Sequence, residues 1–236
     1  MYIYWARRHN VHMLIILVPY RATDQPERAE QLKRFVGCMK QKLPAAYVAV
    51  LEQADDRPFN RGALLNAGIE CMGAGGDAIL CLHDVDLLPQ DDILDEYCAP
   101  LPESTVRHIG RAWKRYDSDS YMGGILLIRA RDFQRVNGFP NDFWGWGGED
   151  DELRDRIQRA GLAVERSEGT IVDQEGLTLQ QKLARLRKTG QKCRDKWERR
   201  AWHTTHPGAD GVRQLAYQIV DVQHVHRHLY HFKLML

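Results

Sequence analysis

Three short aliphatic runs limit what this chain can fold into: Met13–Val18 (MLIILV), Ala78–Leu82 (AILCL) and Gly124–Ile128 (GILLI). None alternates apolar with polar residues, and each has the length of a strand. Such runs suit strands covered on both faces. Residues 26–42 lie between the first two runs and predict a helix, with Pro26 early and Leu32, Phe35, Val36 and Met39 on one stripe. Tyr47–Leu51 predicts a second strand, and Asn60–Ile69 (NRGALLNAGI) a helix that can bury Leu64, Leu65 and Ala67. GAGGD at 73–77 is a turn. This alternation implies an α/β fold with a mixed, mostly parallel sheet flanked by helices. Ligands of such sheets sit at the carboxyl ends of the strands, where VPYR (18–21) and HDVD (83–86) fall.

The remaining stretches are shorter. Pro89–Glu96 predicts a short helix, 100–120 reads as polar and irregular, and Asp132–Val136 as a helical turn. Leu153, Ile157 and Ala160, followed by Gly161, describe a helix from Glu152 with a glycine cap. Leu179, Leu183 and Leu186 mark another helix, in a basic region running to Arg200. Tyr217–Val222 and Tyr230–Leu236 predict closing strands. At 236 residues, without repeats or a linker, a single domain over 1–236 is expected.

Composition bounds the setting. Acids and bases nearly balance at +1, so bulk charge points to neither nucleic acid nor a membrane surface as partner. The five cysteines are odd in number and lack CxxC spacing, which fits a reducing compartment rather than a disulfide scaffold. MLIILV is too short to span a bilayer, and Pro-Tyr-Arg follows it rather than a small-residue cleavage site.

Two acidic groups carry the chemistry. Asp84 and Asp86 follow a buried strand, one residue apart. Carboxylates so placed can share Mg²⁺ or Mn²⁺ with a substrate diphosphate; the plainer alternative is a solvated turn. Glu149, Asp150 and Asp151 stand at a predicted helix start, where the macrodipole and capping already favour acids. Capping does not explain the flank WGWGG (144–148). Its glycines permit positive φ and its indoles offer flat faces for sugars, as in a loop that closes over substrate. A carboxylate beside such a loop can act as a general base. A metal-like site and a base-like site together suggest group transfer from a phosphorylated donor, with inversion if base and leaving group lie on opposite faces of the sugar.

FNRGALLNAG (59–68), HDVDLLP (83–89), YMGGILL (121–127), NGFPNDFWGWGGEDDEL (137–153) and AYQIVDVQ (216–223), with VPYR, occur in one order along most of the chain. In these motifs the chain resembles the β-1,4-galactosyltransferase family, inverting enzymes of the GT-A fold, and within it the branch that adds galactose to xylose. The resemblance implies a UDP-sugar-dependent enzyme that moves galactose from UDP-galactose to a sugar hydroxyl with Mn²⁺, forming a β1,4 bond. Transfer of N-acetylgalactosamine, or a non-catalytic nucleotide-sugar- or glycan-binding module, are the alternatives. Residues 1–100 would be the nucleotide-sugar half and 101–236 the acceptor and catalytic half. By the same resemblance Asp86 binds Mn²⁺ with Asp84 close by, and Pro19, Tyr20, Arg21, Phe59 and Arg61 line the nucleotide site. Trp146 sits on a mobile lid against both sugars, Asp150 is the catalytic base, and Glu149 and Asp151 hold donor and acceptor hydroxyls. Tyr121 stands where the family controls donor size, and its ring leaves little room for an N-acetyl group.

The chain departs from the family in two places. Relatives supply His with Met or a second His as further metal ligands soon after the helix that follows GGEDD, and 170–190 contains neither residue. Asp173, Glu175, His203 and His206 are the candidates to take that place. The family's animal members carry a Golgi anchor; the chain reads as a bacterial-type cytoplasmic enzyme or the soluble catalytic domain of an anchored one. Its acceptor would be a glycan or glycolipid. The basic stretch 182–200 is either a solvated helix face or a guide for an anionic acceptor. His224, His226 and His228 alternate as ligands on a strand could, but an exposed or edge strand is the preferred account of them.

Overall fold

The structure, a computed structural model, describes residues 13–22, 27–116 and 118–236. The aliphatic runs form its centre. Strands β1 (Leu14–Tyr20), β2 (Tyr47–Gln53) and β3 (Ile79–His83) lie parallel, with β1 between the other two. Strand β10 (Leu229–Met235) extends this block in parallel beside β2, and β9 (Gln218–His226) closes that edge antiparallel. On the other side β6 (Ile125–Arg129) runs antiparallel to β3, followed by β5 (Thr105–His108) and β7 (Ala163–Arg166). The eight-stranded order is β7-β5-β6-β3-β1-β2-β10-β9, so the sheet is mixed, as expected.

Period-two side chains explain the two covered faces. Ile15, Leu17, Ala49 and Leu51 point to one face and pack with Leu64 and Leu65 of helix α2 (Arg61–Cys71). Ile16, Val18, Val48 and Val50 point to the other and pack with Phe35 and Met39 of helix α1 (Glu27–Lys42). Pro26, expected at the start of α1, lies outside the described residues. Gly68 brings α2 close to the sheet: a Cβ there would meet Leu51 Cδ1 at 2.7 Å.

Several short elements differ from the sequence expectation. The 100–120 stretch contains β5. Pro89–Glu96 divides into the end of β4 (Leu87–Pro89), one 3-10 turn (Asp91–Ile93) and helix α3 (Leu94–Cys98). The glycine-capped helix starts earlier than expected, as α5 (Glu149–Arg159), after helix α4 (Ala130–Arg135). The basic region is two helices, α6 (Leu179–Lys188) and α7 (Lys196–Thr205). The histidine row is broken by the β9–β10 turn after His226; His224 stacks on Tyr230 and His228 faces the Pro44 carbonyl.

Position of the site follows from two tertiary locks. Strand β8 (Ile171–Asp173) pairs antiparallel with β4, with Leu87 opposite Asp173, and this carries 173–175 to the Asp84–Asp86 strand end. Asn66 of α2 bonds both the N–H and the carbonyl of Phe139, at 2.9 and 2.8 Å, so the FNRGALLNAG helix holds the NGFPND segment. The glycine-rich loop leaves that segment fixed at one end. Among the described residues no helix is long and apolar enough to cross a membrane.

Candidate active site

The carboxyl ends of β1 and β3 open into a cavity of about 630 Å³, a size typical of small-molecule sites. Pro19, Tyr20, Arg21, Phe59, Arg61, Asp84, Asp86, Tyr121, Trp146, Glu149, Asp150 and Asp151 all line it. Residues far apart in sequence therefore converge, as the motif reading expected. Arg28, Trp113, Arg115 and Tyr116 also line it and were not singled out in the sequence, as does Lys182, noted there only as part of the basic stretch.

At one end Arg21 donates to the Arg57 carbonyl at 2.5 Å, and its guanidinium lies 5.7 Å from the Phe59 ring centre. Arg61 stands between the two acidic groups. Its Nε donates to Asp84 at 2.7 Å and its guanidinium reaches Glu149 at 4.0 Å. Burial opposes its charge, but Asp84 and Glu149 hold it protonated.

The strand-end acids are closely compensated. Asp86 pairs with Arg28 at 3.0 Å, and the same guanidinium pairs with Glu175 at 3.1 Å. Glu175 also takes Lys182 at 2.5 Å and Arg115 at 2.9 Å. Arg115 in turn pairs with Asp173, which accepts from Trp113 Nε1 at 3.2 Å. Burial pushes the Asp86 carboxyl up, but Arg28 and Lys182 outweigh it and hold the group below the usual carboxylate range. Asp84, more strongly affected by burial and by Asp86, is raised despite Arg61. Asp86 and Glu175 thus both reach the Arg28 guanidinium and offer only oxygen donors. That chemistry fits a hard divalent ion such as Mn²⁺ or Mg²⁺. Asp173 and Glu175 do lie in this group, behind the cavity wall.

The glycine-rich loop is built for its shape. Gly145, Gly147 and Gly148 have φ of 92°, 105° and 105°, a region that suits glycine. Trp146 is anchored by its backbone: its N–H donates to the Gln191 carbonyl at 2.7 Å, and the Cys193 N–H donates to its carbonyl at 3.1 Å. Gly148 precedes α5, so Glu149, Asp150 and Asp151 fall in the first helical turn. Asp150 Oδ1 accepts from the Asp151 N–H at 2.9 Å. Its Oδ2 and the Tyr121 hydroxyl each lie 2.8 Å from where a Gly123 Cβ would stand; the GG of YMGGILL makes room for both. Tyr121 stacks on Tyr116 at 4.4 Å, with Trp113 edge-on to both rings.

Charge in this turn is compensated only in part: Asp151 pairs with Arg154 at 3.1 Å, while Glu149 has Arg61 no nearer than 4.0 Å. Glu149 is only 8% exposed, and its Oε2 has no hydrogen-bond partner among the described residues. Burial and the neighbouring Asp150 push its carboxyl up to about 8. Burial and Asp151 raise Asp150 as well. Near neutral pH Glu149 therefore holds a proton that it can donate, and Asp150 is a stronger base than a free aspartate.

His203 and His206 do not join Asp86. His203 forms a cluster with Asp142 and Asp210, the one group of three ligand-type side chains found among the described residues. Arg156 donates to His203 Nδ1 at 3.4 Å, which leaves the proton on Nε2, directed at Asp142 at 2.9 Å. Asp142 also pairs with Arg199, and Asp210 takes two bonds from Asn141. The cluster is satisfied as a lock between 137–142 and α7, and none of its members lines the cavity. His206 is exposed and stacks on Trp202 at 4.6 Å. Four of the nine bases of the stretch 182–200 are in ion pairs: Lys182 with Glu175, Arg185 with Glu27, Arg199 with Asp142 and Asp195, and Arg200 with Asp155.

Arg28 and Arg115 gave no local signal, because their acidic partners lie 58 to 147 residues away, and Lys182 stood out only as part of the basic stretch. Their one trace in sequence was Asp173 and Glu175 in a region without His or Met, acids that require counter-charge once buried.

Known proteins resemble this chain along most of its length. Residues 7–99 match a family model described as the N-terminal region of glycosyl transferase group 7, and 106–177 match one described as the N-terminal domain of galactosyltransferase. The chain is 38% identical over 224 residues to β-1,4-galactosyltransferase 7 of Drosophila melanogaster, covering 90% of this chain and 65% of that protein. It is 40% identical over 164 residues to β-1,4-galactosyltransferase 7 of Homo sapiens, covering 67% of this chain and 47% of that one. The chain thus spans less than two thirds of the length of these relatives. The crystal structure of the catalytic domain of the Drosophila enzyme with xylobiose matches at TM-score 0.74 and 31% identity, over 96% of this chain and 94% of that chain. A mutant of the same enzyme, solved in complex with manganese, UDP-Gal and xylobiose, matches equally. The shared GT-A fold and the match along nearly the whole chain settle its kinship: the chain belongs to the β-1,4-galactosyltransferase family.

Proposed function

We propose that the protein is an inverting galactosyltransferase that moves galactose from UDP-galactose to a sugar hydroxyl, forming a β1,4 bond. Carrying this reading is one observation: weakly compensated acids at the start of α5, Glu149 and Asp150, and closely compensated acids at the end of β3 face the same cavity. The first set suits proton transfer and the second suits a phosphorylated leaving group.

Asp150 accepts the proton of the incoming hydroxyl, whose oxygen attacks the anomeric carbon. As that bond forms, the bond from the anomeric carbon to the diphosphate oxygen breaks, and its electron pair leaves with UDP. Glu149, protonated near neutrality, donates to a donor hydroxyl through its unpartnered carboxyl. Asp151 holds an acceptor hydroxyl. Arg61 offsets charge between the two acid groups, and Tyr121, stacked on Tyr116, limits the donor pocket. Trp146 covers the sugars and excludes water. Asp86 and Glu175 would hold Mn²⁺, which supplies charge stabilisation to the departing diphosphate when bound. Residues 1–100 serve the donor and 101–236 the acceptor and the chemistry. The named relatives favour a xylose-terminated acceptor.

The test is product analysis with UDP-galactose and a xyloside in the presence of Mn²⁺. The expected product carries galactose on the 4-hydroxyl with the anomeric coupling of a β linkage. UDP binding without transfer from any UDP-sugar, over a broad acceptor panel, would favour a binding module instead.

A further inference from the structure

Each carbonyl of the turn that carries Asp86 has a donor. The Asp84 carbonyl accepts from the Leu87 N–H at 3.3 Å, and the Asp86 carbonyl from the Gln174 N–H at 2.8 Å. The Val85 carbonyl accepts from Gln174 Nε2 at 2.9 Å. A second and shorter bond to the Asp84 carbonyl comes from His83 Nδ1, at 2.9 Å. A carbonyl only accepts, so the His83 proton sits on Nδ1 and Nε2 is left bare. Nε2 faces the Tyr97 hydroxyl at 2.9 Å, which donates to it. The His83 side chain is fully buried. Phe35 of α1 lies edge-on to its ring at 4.9 Å, and Tyr97 of α3 is stacked at 6.0 Å. Ring orientation and tautomer are therefore both set from behind the cavity, which none of His83, Phe35 and Tyr97 lines.

The direction of the Asp84 carbonyl sets the course of the next two residues. The Asp84 N–H is held by the Gly124 carbonyl at 2.9 Å, so the peptide plane after Asp84 is the remaining freedom of this strand end. Val85 packs in the core with Phe35, and Asp86 then faces the cavity. We propose that His83 is a positioning residue for the Mn²⁺ site: its Nδ1–H fixes the Asp84–Val85 peptide so that the Asp86 carboxylate is presented to the ion, and Tyr97 holds the tautomer that does so. This rests on the galactosyltransferase reading, which places Mn²⁺ at Asp86. His83 touches neither the ion nor the donor and acts through the backbone.

Mn²⁺ titration of the protein in the presence of UDP, read from the loss of the free-ion EPR signal, tests the assignment beside a transfer assay. His83→Leu is expected to weaken Mn²⁺ binding by about tenfold or more, the usual worth of an outer-shell partner, with kcat at saturating Mn²⁺ within about twofold of the parent. An asparagine amide can stand where Nδ1 stands, so His83→Asn keeps the bond to the Asp84 carbonyl and, like His83→Leu, loses Tyr97. It is expected to bind Mn²⁺ within about threefold of the parent. Tyr97→Phe lets the ring carry its proton on either nitrogen and is expected to weaken Mn²⁺ binding by about threefold. A thermal melt of each variant separates lost binding from lost fold. Mn²⁺ affinity unchanged in folded His83→Leu, or equally weak in His83→Asn and His83→Leu, overturns the proposal. If His83→Leu does not fold, unchanged affinity in Tyr97→Phe overturns it instead. Mn²⁺ binding that follows the expected order, with no transfer by the parent from any UDP-sugar, fails the galactosyltransferase reading alone; transfer by the parent with Mn²⁺ affinity indifferent to His83 fails the positioning role alone.

Discussion

The two acid groups of the cavity use the same residue types to opposite effect. At the end of β3, Asp86 and Glu175 meet Arg28, Arg115 and Lys182, and Asp86 is held ionised below its ordinary range. At the start of α5, Asp151 pairs with Arg154, but Glu149 and Asp150 share only the more distant Arg61, and Glu149 rises to about 8. Burial is common to both. Counter-charge differs, and counter-charge decides whether a buried carboxylate stays a fixed anion or becomes a group that exchanges protons. The first site organises a charged ligand; the second is poised for chemistry.

That contrast can be broken from either side. The largest expected effect lies in the compensated group. Glu175→Gln would leave Arg28, Arg115 and Lys182 short of a buried partner and is expected to cost about 3–5 kcal/mol of stability, read from chemical denaturation. A loss below about 1 kcal/mol, the level of an exposed pair, would deny the network its buried character. Next is donor choice. Tyr121→Leu removes the hydroxyl and part of the ring stacked on Tyr116. Use of UDP-N-acetylgalactosamine relative to UDP-galactose should rise by about tenfold, and an unchanged donor ratio would remove Tyr121 from the donor pocket.

The weakly compensated group predicts a pH signature. Glu149 is raised from an ordinary 4.5 to about 8 in the fold, so the folded protein binds a proton that the unfolded chain releases. The stability this contributes is full below the ordinary value and is lost as pH rises through about 8. Melting temperature should fall between pH 5 and pH 8, and Glu149→Gln should flatten that slope. A parent curve that rises over this window would contradict the assignment. The smallest effect concerns 182–200. Because Lys182, Arg185, Arg199 and Arg200 are engaged in ion pairs, transfer to an anionic acceptor should change only about twofold between low and physiological salt. A steep fall would restore the stretch as an acceptor guide.

Sequence and structure agree where a signal was local. MLIILV, AILCL and GILLI declared their strands by unbroken aliphatic character, and both of their faces are covered. WGWGGEDD declared a loop ending on a helix because its glycines and acids suit positive φ and a helix N-terminus. Strands β5, β7 and β8 were illegible: TVRH, AVER and IVD are three or four residues long and carry polar side chains. They exist because a neighbour supplies the ladder. The partners of Asp86 were illegible for a related reason. Arg28 is 58 residues from Asp86 and 147 from Glu175; packing of α1 on the sheet places it at Asp86, and the β4–β8 pairing brings Glu175 to the same point. The place of His203 was illegible for the same reason: its partners Asp142 and Arg156 lie 61 and 47 residues away.

The division of labour between the two groups is tested most directly by measuring transfer rate and UDP affinity side by side in Asp150→Asn and Asp86→Asn. The account predicts that Asp150→Asn loses roughly 10²–10⁴-fold in turnover with UDP affinity unchanged, whereas Asp86→Asn alters UDP affinity. Turnover retained in Asp150→Asn, or UDP affinity lost with it, would contradict the assignment of proton transfer to the start of α5 and ligand charge to the end of β3.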